Sequence, residues 1–229
     1  MLNPSKGNMY KFITHTWNPI KGKCLHNCSY CYMKQIAPHS NPPRIAEYEF
    51  KTNLGRGNFI FSGSATDMFA EDIPSQWITR VLDYCKLQHD AGNKNAFLLQ
   101  SKNPNRFLEF IDHPITKRCV LATTIESNRF YPEIMCNAPQ IEERVEAMEE
   151  LAGLGFTTMV TAEPLLKFDL DKMLEYINQC HPRKVNIGKN SCERILLPEP
   201  SKEEVKQLID GLADIPKIEV KENAQLWMA

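Results

Sequence analysis

The sequence has no apolar run near the roughly 18 residues that cross a bilayer, so it predicts no transmembrane helix. Its opening residues, Met1-Leu2-Asn3-Pro4-Ser5-Lys6, lack the apolar stretch of a secretory signal, and a cytoplasmic protein is expected. No Gly/Ser linker, low-complexity tract or short repeat interrupts the 229 residues, so the expectation is a single domain over 1–229. Nor does either sign of charge dominate, because the formal net charge is −1. That balance hides an asymmetry. Residues 1–56 carry eight Lys/Arg against two Glu, a net of +6, while residues 119–229 carry twelve against nineteen acids, a net of −7. A basic first quarter fits attraction of an anionic substrate such as a nucleotide or nucleic acid. It fits equally well lysines (Lys21, Lys23, Lys34) that offset a nearby anionic site, with the rest solvated.

What is there is ordinary in bulk and unusual in one place. Hydrophobic residues make up 42% and charged residues 24%, the balance of a chain that folds around a core. Of the eight cysteines, Cys85, Cys119, Cys136, Cys180 and Cys192 are scattered and expected as free thiols in a reducing compartment. The other three stand in Lys23-Cys24-Leu25-His26-Asn27-Cys28-Ser29-Tyr30-Cys31-Tyr32, which is Cys-x3-Cys-x2-Cys. Three thiolates can hold a [4Fe–4S] cluster and leave its fourth iron open to a small molecule. Zinc is the competing ligand, with His15, His26 or His39 completing the set, although no second Cys-x2-Cys or His pair supports it. Three unligated thiols are the third reading.

Around this loop, short apolar runs alternate with amphipathic helical patterns. Phe59–Phe61, Ala96–Leu99, Cys119–Ala122, Thr157–Val160 and Val185–Ile187 read as buried strands, with Tyr10–Ile13 as a first strand ahead of the cysteines. Helices are expected after Pro74, over Ile141–Leu151, over Leu170–Ile177, and after a Ser201/Glu204 capping box, with a weaker one after Asn103-Pro104. Six strands with intervening helices imply a parallel α/β fold whose ligands sit at the carboxyl ends of its strands. Polar residues follow each strand: Ser62-Gly63-Ser64, Gln100-Ser101-Lys102, Thr123 to Ser127, Thr161-Ala162-Glu163, and Gly188 to Ser191.

Cys-x3-Cys-x2-Cys with an aromatic before the last cysteine resembles the signature of radical SAM enzymes. Thr16-Trp17-Asn18-Pro19, Ser101-Lys102-Asn103-Pro104, Thr124-Ile125-Glu126 and Ala162-Glu163-Pro164-Leu165-Leu166 resemble a small phage-associated family of that superfamily, similar to spore photoproduct lyases. The chain departs from the superfamily at Ser62-Gly63-Ser64, where Gly-Gly-Glu often stands. The resemblance implies a partial (β/α)6 TIM-type barrel over about residues 10–190, with a C-terminal helix and strand over 191–229. It implies a [4Fe–4S] cluster on Cys24, Cys28 and Cys31. S-adenosylmethionine would be cleaved to a radical that abstracts hydrogen from a substrate, with electrons from an external flavodoxin- or ferredoxin-type donor. No further cysteine set is present for an auxiliary cluster.

The resemblance also distributes roles. Tyr30 would lie against the adenine, or simply pack the loop. Ser62, Gly63 and Ser64 would meet the methionine amino end, or form a plain turn with Asp67 as its cap. Lys102 would face the S-adenosylmethionine carboxylate, and Thr124, Glu126 and Ser127 the ribose hydroxyls or carboxylate, with a buried structural ion pair as the other expectation for Glu126. Glu163 would contact S-adenosylmethionine or a substrate amine, or pin the barrel mouth. Cys192 would donate a hydrogen atom to a product radical, as a late cysteine does in spore photoproduct lyases, or be an inert thiol. The implied substrate is a nucleic-acid base or nucleotide. A small metabolite, or a non-enzymatic zinc-binding interaction module, is the alternative.

Overall fold

The protein is seen as a computed structural model that describes residues 1–36, 41–192 and 194–228, so His39 lies outside the described residues. The chain starts with β1 (Asn3–Pro4), antiparallel to β2 (His15–Trp17). A two-stranded ribbon, β3 (Ile20–Lys21) with β4 (Arg44–Ile45), encloses the cysteine loop and the short helix α1 (Met33–Ile36). Then β5 (Phe59–Ser62), α2 (Ser75–Gln88), β6 (Ala96–Gln100), a 3-10 stretch over Pro104–Phe110, and β7 (Cys119–Thr124) follow. The short α3 (Pro132–Met135) and α4 (Ile141–Gly153) lead to β8 (Thr157–Ala162), α5 (Leu170–Gln179), β9 (Lys184–Ile187), α6 (Lys202–Gly211) and β10 (Ile218–Val220).

The main sheet runs β1-β2-β5-β6-β7-β8-β9-β10, with every pair after β1–β2 parallel. This is the α/β partial barrel expected, in one domain. The C-terminal helix and strand extend it by one parallel strand, β10 against β9. The helices form where apolar residues repeat at helical spacing. Ile78, Val81, Leu82 and Cys85 of α2, and Ile141, Val145, Met148 and Leu151 of α4, are all buried. The capping box of α6 is complete: the Ser201 hydroxyl accepts from Glu204 N, and Glu204 accepts from Ser201 N. No helix among the described residues is long and apolar enough to cross a membrane.

Because side chains alternate across a strand, each buried strand serves two interiors. Ile60, Phe97, Leu99, Leu121, Val160 and Val185 pack with the helices in the large core. Their neighbours Phe61, Leu98, Ala122 and Met159 face the other way, onto Tyr10 and Ile13. This corrects the first-strand expectation. Tyr10–Ile13 is a turn, closed by Ile13 N donating to Tyr10 O at 2.9 Å, and it plugs the inside of the sheet. The strand falls at His15–Trp17 instead. The plug is aromatic: Tyr10 stacks on Phe12 at 5.7 Å, and Phe12 meets Phe59 edge-on at 4.9 Å. Apolar alternation in Tyr10, Phe12 and Ile13 mimics a strand because a lumen plug needs the same residues.

Leu98 is wholly buried beneath that plug, so Leu98→Ala is expected to cost about 2–5 kcal/mol. Ser201→Ala, which removes only a cap, is expected to cost about 1 kcal/mol. Urea unfolding midpoints of the two variants check both the order and the size.

Candidate functional site

The strand ends open into a cavity of about 550 Å³, within the range of small-molecule sites. Cys24, Cys28 and Cys31 all line it. Their loop is fixed from several sides. Ser29 N donates to Ile134 O at 2.9 Å, Asn137 N to His26 O at 3.0 Å, and the Asn137 side chain to Leu25 O at 3.0 Å. Gly22 allows the approach: at φ +122° it lies so close to Pro42 that a Cβ would sit 2.4 Å from the Pro42 carbonyl oxygen.

The strongest tie is a buried carboxylate. Asp67 Oδ2 accepts from His26 Nε2, from Ser101 Oγ and from Lys102 N, each at 2.9 Å, while Oδ1 accepts from Phe69 N at 3.0 Å. Burial pushes the Asp67 carboxyl up, but His26 and the backbone N–H groups outweigh it and hold it below the usual carboxylate range. Asp67, which the sequence offered only as a turn cap, joins the cysteine loop to the ends of β5 and β6. His26 is thereby engaged by a carboxylate, and His15 Nδ1 meets the Thr14 hydroxyl at 2.9 Å. Asn18, from the Trp17-Asn18-Pro19 run, fixes the β5 loop by accepting from Ala65 N at 2.9 Å and from Ser64 Oγ at 3.2 Å.

A second network lies deeper. Glu126 is fully buried; its carboxylate accepts from the Tyr30 hydroxyl, from Lys102 Nζ, and from Arg144 Nη1 at 2.8 Å. Arg144, also fully buried, donates further to Thr124 O at 2.9 Å and twice to Pro139 O. Burial raises the Glu126 pKa, and the charges of Arg144 and Lys102 more than reverse it, down to about 2. Burial and Glu126 together push the Tyr30 phenol well above its ordinary value. The Lys102 ammonium also lies 5.2 Å from the centre of the Tyr30 ring.

Of the residues expected at a cofactor, Tyr30, Gly63, Ser64, Lys102, Thr124 and Glu163 line the cavity with the cysteines. Ser62, Glu126, Ser127 and Cys192 do not. Ser62 points its buried hydroxyl away, next to Cys85 on α2. Glu126 acts through Tyr30 and Lys102 as the buried ion pair of the second expectation. The Ser127 hydroxyl is used in its own turn, donating to Lys167 O at 2.7 Å and accepting from Arg129 N. Cys192 is buried, and its neighbour Ser191 takes the place on the wall.

Arg144 went unread in the sequence, although an arginine three residues after Ile141 and four before Met148 was a visible signal on an apolar helix face. Lys221 and Asn8 gave none. They meet at Glu163 from opposite ends of the chain: Lys221 Nζ is 2.6 Å from Oε2, and Asn8 Nδ2 is 2.7 Å from Oε1. Burial raises the Glu163 pKa, opposed by Lys221.

The donor set suits an iron–sulfur cluster. Backbone N–H groups of Asp67 and His26 act on the Cys24 thiol, the kind of bond that stabilises a sulfur ligand, although burial still pushes that thiol up to about 12. Among the described residues no three His, Cys, Asp or Glu side chains converge on a single metal ion. A four-iron cluster makes no such demand, since it takes its thiolates one to an iron.

No protein-family model matches the sequence, and no curated protein does. Solved structures match the fold. A cysteine-to-serine mutant of spore photoproduct lyase superimposes with a TM-score of 0.66 at 12% identity, over 93% of this chain and 78% of that one. A tyrosine-to-phenylalanine mutant gives 0.67 at 10% identity over the same shares. A double mutant with bound AdoMet and dinucleoside spore photoproduct gives 0.61 at 10% identity, over 91% of this chain and 64% of that one. At these identities the likeness establishes a shared fold.

Arg144→Ala would leave Glu126 buried without its main counter-charge and is expected to cost about 3–5 kcal/mol by urea unfolding. The folded Glu126 pKa lies below its ordinary 4.5, so its contribution is complete above about 4.5 and is lost as pH falls toward about 2. Wild-type stability minus that of Glu126→Gln, followed from pH 7 to 2, should stay level and then shrink across that window.

Proposed function

We propose that this chain, which has the fold of spore photoproduct lyase, is a radical SAM enzyme of the reducing cytoplasm that acts on a nucleic-acid base or nucleotide. The observation that carries the reading is the shared cavity. Three cysteines, with no second metal motif in the sequence, open onto it beside Tyr30 of their own loop and Gly63, Ser64, Lys102 and Thr124 from three strand ends. Cys24, Cys28 and Cys31 would hold a [4Fe–4S] cluster, and the adjoining space would hold S-adenosylmethionine. Together these would supply reductive cleavage and a carbon radical that abstracts hydrogen, fed by a flavodoxin- or ferredoxin-type donor.

The protein's own part is to bind and to position. Tyr30 is held by Glu126 so that its ring edges the cavity, where an adenine can lie against it. Lys102, steadied by Glu126, brings a positive charge for a carboxylate. Gly63, at φ +84°, turns the chain after β5 so that backbone and the Ser64 hydroxyl border the site for an ammonium group. Asp67 and His26 keep the cysteine loop on the strand ends. Two observations support the substrate class. Exposed Lys6, Lys23 and Lys34 stand at the cavity, suited to phosphates. A structural neighbour is described with AdoMet and a dinucleoside photoproduct bound.

Anaerobic reconstitution with iron and sulfide should give a brown protein that makes 5′-deoxyadenosine from S-adenosylmethionine on reduction. Changing any one of Cys24, Cys28 or Cys31 to alanine should remove the colour. Cleavage should accelerate with DNA or nucleotides, with deuterium passing from the labelled substrate into deoxyadenosine. A colourless zinc protein without cleavage would refute the reading, and acceleration by small metabolites alone would refute the substrate class.

A further inference from the structure

Part of the cavity wall comes from outside the cysteine loop. Its rings are Tyr10 and Phe61, 6.3 Å apart, and its polar groups are Gln100, Glu163 and Lys221. Tyr10 connects them: its hydroxyl donates to Gln100 Oε1 at 2.9 Å, and the Lys221 ammonium lies 4.6 Å from its ring centre. Lys221 and Glu163 are held for contact rather than solvated, with side chains 7% and 15% exposed.

Counting hydrogen-bond capacity shows what this part can still accept. A carboxylate offers about four acceptor positions. On Glu163, Lys221 and Asn8 use two. An ammonium has about three donors. One from Lys221 goes to Glu163 and one faces the Tyr10 ring, which leaves a donor beside an open acceptor. The Gln100 amide spends one N–H on a long 3.4 Å contact with the Thr124 hydroxyl and keeps the other. The unfilled pattern is a carboxylate acceptor flanked by donors, beside an aromatic wall. Its complement is a flat ring bearing an N–H next to a carbonyl.

We propose that Glu163, Lys221 and Gln100, backed by Tyr10 and Phe61, form a subsite for the lactam edge of a nucleobase, that is thymine, uracil or guanine rather than adenine or cytosine. This rests on the reading of the cavity as one that receives a nucleic-acid base. Glu163 accepts the ring N–H and Lys221 donates to the adjoining carbonyl, with Phe61 bordering the ring. Base edges are read in this way wherever a base is drawn out of its stack into a pocket. Gly188 is part of the device. A Cβ there would lie 2.8 Å from Glu163 Cδ, so only glycine leaves the carboxylate where it is, although Gly188 does not border the cavity.

Equilibrium dialysis of the reconstituted protein with S-adenosylmethionine tests this, using 5′-monophosphates of the 2′-deoxynucleosides so that charge and sugar are constant and only the base varies. Those of thymine, uracil and guanine should bind at least about tenfold more tightly than those of adenine and cytosine. Glu163→Gln should abolish the preference. Because that change strands the Lys221 charge, the double variant Glu163→Gln/Lys221→Met removes both groups together and should also bind without preference. Gly188→Ala should weaken the favoured bases with every cavity side chain intact. Equal binding of all the bases by the wild type, binding of none, or an unchanged ratio in the double variant would overturn the proposal. The same dialysis on iron-free protein separates the two readings. A base preference in a protein that never takes up iron keeps the subsite and sinks the cofactor reading. Cleavage of S-adenosylmethionine with no base preference does the reverse.

Discussion

The arrangement depends on one buried carboxylate. Asp67 gathers four hydrogen bonds from three separate segments: the cysteine loop through His26, the β6 end through Ser101 and Lys102, and its own turn through Phe69. A buried charge without partners is costly, so the segments that satisfy it are drawn to one place. The cysteine loop has little regular structure of its own, only the short α1 and the β3–β4 ribbon on either side. Its position on the strand ends therefore comes from such ties rather than from a helix packing on the sheet.

Glu126 does for the deeper layer what Asp67 does at the rim. Its partners differ in reach: Arg144 is sealed in the core, whereas Tyr30 and Lys102 extend to the cavity. A residue can thus shape a site without bordering it, and the two expectations held for Glu126 differ less than they look. The ion pair is structural, and what it positions is the pair of side chains best placed to meet a ligand.

Much of this could be read in the sequence, for identifiable reasons. The five inner strands from Phe59 onward and the helices α2, α4, α5 and α6 carry uninterrupted periodic patterns, and local pattern is what buried strands and amphipathic helices obey. The cysteine spacing is local too. What escaped was set by distant contacts. Tyr10–Ile13 has strand-like composition but fills a lumen whose existence depends on the whole sheet. Asp67 looks like a turn residue until His26, 41 positions away, is placed against it. The meeting of Asn8 and Lys221 on Glu163 spans most of the chain. Ser62 and Ser127 lie off the cavity wall; Ser62 alternates with Phe61 and Gly63, which line it, and nothing nearby says which neighbour faces inward.

The plug formed by Tyr10 and its neighbours sets an order of assembly. Its partners, Gln100 on β6, Glu163 after β8 and Lys221 after β10, lie 90, 153 and 211 residues downstream of Tyr10. On a ribosome the aromatic segment emerges well before Glu163 and Lys221, and closing such long loops is slow. The segment that fills the inside of the finished sheet thus completes its contacts late.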